Sequence, residues 1–190
     1  MAFQESDDQA VWFAMRDLKR ANAKCPAYKL LKDKKMTVYT PIKKRLVIRQ
    51  GKKVIEETPL VPDLLFVYDT RTNLDPIVAR IPTLQYRWLH NTYRVPMTVS
   101  DIEMKRFIHA VNISKNPRFY LPEEVTPQMF GQEIRIIGGP LDGYEGHLLT
   151  TRGSKVKRLL VKLNGFFSVG VEVRPEYIQP VRCHPDTQQC

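Results

Sequence analysis

Residues 131–149, GQEIRIIGGPLDGYEGHLL, place four glycines between positions 138 and 146, with a branched apolar run before them and an apolar pair after them. Such a stretch is either a phosphate-binding loop or a corner between strands. A Walker loop requires Gly-Lys-Ser/Thr, and no such triplet follows Gly146. A dinucleotide-binding loop requires a helix after the glycines, whereas HLLTTRG has a strand-like composition. The stretch therefore predicts a barrel corner.

The residues around this corner predict a small β-barrel over residues 127–182. Gly139-Pro140 starts a tight turn, and Asp142-Gly143 is a common turn pair. Five short strand candidates follow one another at close spacing: EIRII, EGHLLTT, RLLVKL, SVGVEV and YIQPV. The order of apolar residues, glycines and turn residues resembles the KOW motif of SH3-like barrels in transcription elongation factors and some ribosomal proteins. The positions that carry the motif are Gly138, Gly139, Pro140, Gly143 and Gly146.

The charge of the chain favours an anionic partner, most simply nucleic acid. The sequence has 30 Lys and Arg against 20 Asp and Glu, a net charge of +10. Ten cations and a single acid, Asp33, lie between Lys29 and Lys53. No apolar run reaches the ~18 residues of a membrane helix, so we expect no membrane-spanning segment. The acidic start MAFQESDDQA is unlike the basic start of an export signal. Three cysteines do not make a disulfide framework, so we expect a cytoplasmic protein without a membrane contact.

The first hundred residues predict an α+β arrangement, with helices on a mostly antiparallel sheet. Strands are expected at 11–15, 36–42, 64–69 and 86–90, and a hairpin at 44–58 turns at Gln50-Gly51. Helices are expected at 25–35, at 72–81 with Asn73 as a cap, and at 100–112. The third helix begins with a Ser100–Glu103 capping box and has an apolar stripe of Ile102, Phe107 and Val111. Residues 113–126 contain two prolines and little periodicity, which predicts a linker, and residues 183–190 form a tail.

The order of these segments resembles the NusG family over residues 11–181. The segments that carry the resemblance are VWFAMRDLKRANAKCPAYKLLKD, PLVPDLLFVYD, IPTLQYRWLH, VPMTVSDIEMKRF and the KOW stretch. The resemblance implies an NGN domain at 11–112, an α/β sandwich that binds RNA polymerase, followed by the KOW barrel at 127–182. It also implies a monomeric elongation factor that has no enzymatic activity and no cofactor. Its first domain would bridge the polymerase clamp helices and the opposite lobe, and its barrel would recruit Rho or a ribosomal protein.

The resemblance also assigns site residues. The polymerase contact falls on Arg16, Leu64 and Phe66, and the contact with the opposite lobe falls on a loop of Thr70, Arg71, Thr72 and Asn73. Relatives often have an aromatic residue at position 64 and glycine or asparagine at position 63, where this chain has Leu64 and Asp63. Cations of the hairpin are placed near non-template DNA or nascent RNA: Lys43, Lys44, Arg45, Arg49, Lys52 and Lys53.

Two features indicate a specialised relative rather than the general factor. The segment LNGFFSVGVEV lacks the family's usual Phe-Gly-Arg, and LVPDLLFV is similar to the antiterminators of capsular or surface polysaccharide operons (UpxY-like). An operon-specific antiterminator is therefore the function that the resemblance implies.

Other interpretations of these residues remain open. Leu64 and Phe66 share one face of a strand and could be sheet core, and the hairpin cations could be a solvated face. The tail residues Cys183, His184 and Cys190 are too few and too terminal to predict a metal site. An RNA-binding or ribosome-associated KOW protein is the main alternative function, and the missing lysine after the glycines argues against a nucleotide-using enzyme.

Overall fold

The computed structural model describes residues 9–19, 25–149, 156–163 and 165–181. The chain forms two compact units, the first ending at Asp101 and the second beginning at Ile102. Helices and mostly antiparallel sheets occur together, so the predicted α+β class is confirmed. No helix in the described ranges has the length and apolar character needed to span a membrane.

The first unit is built on a five-stranded antiparallel sheet. Its order is β2-β5-β1-β6, and β7 also pairs with β1. The strands are β1 (Val11–Asp17), β2 (Thr37–Tyr39), β5 (Leu64–Asp69), β6 (Leu84–Tyr86) and β7 (Thr98–Val99). The apolar and aromatic content of β1 and β5 suits the two central positions, which are buried on both faces.

Two helices accompany this sheet, α1 (Ala27–Asp33) and α2 (Arg71–Arg80). Leu31 of α1 and Leu74 of α2 are fully buried in one core with sheet residues such as Phe13 and Val67. The buried carboxylate of Asp17 accepts a 2.6 Å hydrogen bond from the backbone N–H of Ala27. The end of β1 therefore satisfies one of the unpaired donors at the start of α1.

The predicted hairpin is present as a separate two-stranded sheet, with β3 at Ile42–Arg49 and β4 at Lys52–Pro59. The turn residues Gln50 and Gly51 have φ angles of 50° and 75°. Two consecutive left-handed residues are typical of the type I′ turn, whose twist matches that of paired strands.

The second unit contains α3 and a six-stranded antiparallel sheet in the order β13-β9-β10-β11-β12-β8. Its elements are α3 (Asp101–Ile113), β8 (Arg118–Tyr120), β9 (Phe130–Ile136), β10 (Glu145–Leu149), β11 (Arg158–Leu163), β12 (Phe167–Glu172) and β13 (Ile178–Pro180). All five strands predicted for the barrel are thus found, as β9 to β13.

The helix α3 buries only part of the predicted stripe. Phe107 is fully buried, as expected, and its ring lies 5.2 Å from that of Phe167 in an edge-to-face contact. Val111 is half-buried and Ile102 is 74% exposed. The buried positions are Met104, Phe107 and Ala110, three residues apart, so the prediction was wrong for Ile102.

Two other element boundaries differ from the sequence prediction. The segment 113–126 contains β8, which pairs with β12, so this part of the segment is a sheet strand. The strand predicted at 86–90 is β6 at Leu84–Tyr86, because the backbone of Leu89 instead bonds that of Val95 in a local turn.

Candidate functional site

The glycine-rich stretch forms a tight corner between β9 and β10. Gly138, Gly139 and Gly143 all have φ between 72° and 82°, and Asp142 Oδ1 accepts a 2.6 Å hydrogen bond from the N–H of Gly138. The corner leads into a strand, not a helix, so it does not direct the N-terminus of a helix at a phosphate. The prediction of a corner between strands is confirmed.

The predicted polymerase-binding residues of β5 are buried. Ala14 pairs with Phe66 and Arg16 pairs with Leu64, so these four residues share the sheet face opposite to the core of Phe13 and Val67. Leu64 is 5% exposed and Phe66 is 0% exposed. Their apolar side chains therefore offer almost no surface to a partner. This agrees with the alternative that both residues belong to the core of the sheet.

Arg16 is the exposed member of this face, and it belongs to a charged cluster. Asp63 Oδ2 lies 3.0 Å from Nε of Arg16 and 3.0 Å from Nη2 of Arg87. The Arg16 side chain is 54% exposed, while those of Asp63 and Arg87 are about one third exposed. One carboxylate thus holds two guanidinium groups at the edge of the sheet, and we name these three residues the Arg16 cluster.

Sequence reasoning missed Arg87 and treated Asp63 only as a departure from the family pattern. Arg87 follows β6, and its N–H donates to the carbonyl of Ala14 on β1. Since side chains alternate along an extended segment, the inward position of Tyr86 places its neighbour on the opposite face. This alternation was the sequence feature that could have placed Arg87 on the same face as Arg16.

Apolar side chains are exposed immediately after Arg87. The N–H of Leu89 donates to the carbonyl of Val95, and the intervening residues form a turn. Trp88, Leu89 and Val95 are between 42% and 44% exposed, and Tyr93 is 85% exposed. This turn therefore presents apolar surface that the buried residues of β5 do not.

The segment Thr70–Asn73 is not a loop but the start of α2. Thr70 is the N-cap, and its Oγ1 accepts a 3.3 Å hydrogen bond from the N–H of Asn73. The side-chain amide of Asn73 donates to Asp69 Oδ1 at 2.9 Å, and Arg71 pairs with Asp75 at 3.7 Å. Asn73, predicted as the cap, lies inside the first turn, because Thr70 provides the capping oxygen one turn earlier. Thr72 and Asn73 are exposed at this helix end.

The hairpin cations are all exposed, and most of them share one face. The pairing of Arg49 with Lys52 and of Arg45 with Glu56 places Lys43, Arg45, Arg49 and Lys52 on the same side. Arg49 pairs with Glu56 at 2.6 Å, and on the other side Lys44 pairs with Glu57 at 3.2 Å. Within the described residues, Lys43, Arg45, Lys52 and Lys53 form no ion pair. These four cations are therefore available to an anionic partner.

Metal ligands are not gathered anywhere in the described part of the chain, where no group of three His, Cys, Asp or Glu residues could hold an ion. The weak cluster of Cys183, His184 and Cys190 lies outside the described residues.

Comparison with known families gives one match. A family model described as transcription termination factor NusG matches residues 10–108, just over half of the chain. No curated protein matches the chain. The matched residues contain the whole first sheet, the Arg16 cluster and the hairpin. The chain therefore belongs to the NusG family, whose members are non-enzymatic transcription elongation and antitermination factors.

Proposed function

We propose that this protein binds RNA polymerase through its first unit and promotes processive elongation and antitermination. The observation that carries the proposal is that the matched region 10–108 contains an exposed Arg16 cluster on one face of its sheet. In this proposal the first unit bridges the clamp helices and the opposite lobe, with Thr72 and Asn73 at the start of α2 on the lobe side.

The Arg16 cluster has the chemistry for a polar anchor. A guanidinium has five N–H donors, and the contact of Arg16 with Asp63 uses its Nε, so the terminal donors remain for a carboxylate or carbonyl of the polymerase. The exposed apolar turn with Trp88 and Tyr93 adds surface next to Arg87. Leu64 and Phe66 are buried on the same face of the sheet as Arg16.

The first test is a pull-down of core RNA polymerase with the wild type and with Arg16→Glu. We expect charge reversal at this 54% exposed side chain to weaken binding about tenfold or more without lowering the melting temperature. Lys29→Glu is the matched control, because Lys29 is an exposed cation on α1. Equal retention of polymerase by the wild type and both variants would refute the role of Arg16.

The predicted contacts Leu64 and Phe66 need a test that separates contact from folding. Phe66→Ala removes a fully buried ring, which costs about 3–5 kcal/mol in typical cores. A loss of polymerase binding by this variant therefore counts only if circular dichroism and the melting temperature show a folded first unit.

Operon specificity and recruitment are further parts of the proposal. We propose an antiterminator of the UpxY-like group, in which residues 127–182 are a KOW domain that recruits Rho or a ribosomal protein. In vitro transcription with and without Rho on a polysaccharide-operon leader and on an unrelated template tests it. Read-through on the leader alone is the expected result, and equal read-through on both templates would contradict the specificity.

Direct RNA binding is the second candidate, and the four unpaired cations of the hairpin favour it. If the hairpin grips RNA, the affinity should fall steeply with salt, and the slope should decrease when Lys43, Arg45 and Lys52 are replaced by alanine. Polymerase binding that survives this triple substitution, together with weak RNA binding, would reject this candidate.

A further inference from the structure

The second unit contains a cavity of about 640 Å³ that the proposed polymerase contact does not use. It lies between the end of α3, the glycine corner, the start of β11 and the segment after β12. Its volume is within the range of sites that bind organic ligands. Its wall is mainly aliphatic, from Ile113, Ile136, Leu141, Val156 and Val173.

Three cations line the same cavity: Lys115, Lys157 and Arg174. The ammonium groups of Lys115 and Lys157 form no ion pair with any residue that the structure describes. Arg174 is 75% exposed and reaches Glu176 only at 3.9 Å. Lys115 and Lys157 therefore give the cavity two positive charges without an ion pair among the described residues, and Arg174 adds a third whose ion pair with Glu176 is long.

The carboxylate in the wall does not neutralise these cations. Glu172 Oε1 accepts a 2.8 Å hydrogen bond from the buried guanidinium of Arg158, which is itself 4% exposed at its side chain. Because Arg158 is buried, it requires this partner, and Glu172 is committed to it. The positive charge at the cavity is thus left for a ligand.

The side chains that line the cavity favour an aliphatic group over a nucleobase. Single-stranded nucleic acids bind by stacking on aromatic rings. The aromatic ring in the lining belongs to Tyr177, and it packs within about 3.5 Å of where a Cβ would stand on Gly138 and Gly139. An aliphatic side chain would instead contact Val156, which is exposed, and Ile113, which is half-buried, in a wall that also contains the buried Ile136, Leu141 and Val173.

We propose that this cavity binds an acidic peptide segment that carries an aliphatic anchor residue. The anchor enters the apolar wall, and the flanking carboxylates pair with Lys115, Lys157 and Arg174. Ser114 lies beside Lys115 in the lining of the cavity. The partner class is therefore a protein with an exposed acidic and aliphatic segment.

The test uses the full chain labelled with ¹⁵N and a probe peptide of sequence Asp-Asp-Leu-Leu-Asp-Asp. We expect shifts of the amide signals of Ser114, Lys157 and Arg174 at about 1 mM peptide, with saturation. The same peptide with both leucines replaced by serine, or with all aspartates replaced by asparagine, should bind at least about tenfold more weakly.

Two variants locate the site. Lys115→Glu together with Lys157→Glu should weaken the probe at least about tenfold, whereas Lys162→Glu, an exposed cation of β11 outside the cavity, should not. Val156→Trp, at a 45% exposed position of the wall, should block the anchor without lowering the melting temperature. The proposal would be overturned if the peptide caused no amide shifts in the wild type. It would also be overturned if the double variant and Lys162→Glu bound the peptide equally well. An oligouridine that produces the same shifts more strongly than the peptide would also overturn it in favour of a nucleic-acid site.

Discussion

The glycine corner of the second unit allows a quantitative test of local packing. A Cβ added at Gly139 would lie 2.8 Å from Cε2 of Tyr177, closer than carbon atoms approach in folded proteins, and Gly139 has a φ of 72°. Gly143 has almost the same φ, 77°, but nothing lies within 4 Å of its added Cβ. The two positions therefore share the backbone cost of a left-handed residue and differ in the overlap with the ring.

We expect Gly143→Ala to destabilise the second unit by about 1–2 kcal/mol, the cost of a left-handed alanine. Gly139→Ala should add about 1–3 kcal/mol more, because overpacking forces the ring of Tyr177 to move. Amide hydrogen exchange of the buried residues Leu159 and Val171 measures the opening free energy of this unit, without interference from the first unit. Equal destabilisation by the two alanine variants would refute the ring overlap. A Gly139→Ala variant that becomes as stable as Gly143→Ala when Tyr177 is also replaced by leucine would support it.

Three further substitutions test contacts in the first unit. Asp17→Ala removes the acceptor for the first N–H of α1 and should cost about 1–3 kcal/mol in urea unfolding, and a neutral result would contradict the capping role. Burial is the largest cause that raises the pKa of Tyr86, and the hydrogen bond to Asp75 is the next. The neutral hydroxyl of Tyr86 therefore stabilises the fold below its unfolded pKa of about 10, and this stability is lost as the pH rises above that value. Tyr86→Phe should therefore make the alkaline decline of the melting temperature shallower, and an unchanged decline would contradict this. Asp63→Asn should change the unfolding free energy by less than about 1 kcal/mol, because its two arginine partners are partly exposed, and a loss of several kcal/mol in urea unfolding would show that the cluster is structural.

Much of the fold was predictable because local patterns determine it. The type I′ hairpin follows from Gln50-Gly51 between two β-branched runs, and the strands of the second unit follow from short apolar segments between turn residues. The limits of the elements were less predictable. Either Thr70 or Asn73 could provide a capping oxygen, and in the structure Thr70 is the cap while Leu74 is buried in the core.

The site was less predictable than the fold because exposure depends on contacts distant in sequence. Alternation places Arg16, Leu64 and Phe66 on one face, but it does not say which of them the rest of the chain covers. The strand within residues 113–126 was missed for the same reason. Composition made residues 113–126 resemble a free segment, whereas Phe119 and its neighbours pair with β12, about fifty positions further along the chain.

The charged residues at neighbouring ends of β1 and β5 are connected by the structure. Arg16 lies in β1 and Asp63 directly precedes β5; Asp63 accepts a hydrogen bond from Arg16 and forms an ion pair with Arg87 at 3.0 Å. Arg16 would repel Arg87 without this carboxylate, so Asp63 compensates the charge of the two cations that it holds. A polymerase contact built on such a cluster depends on charge as well as on apolar area, and it should weaken with salt more than an apolar contact would.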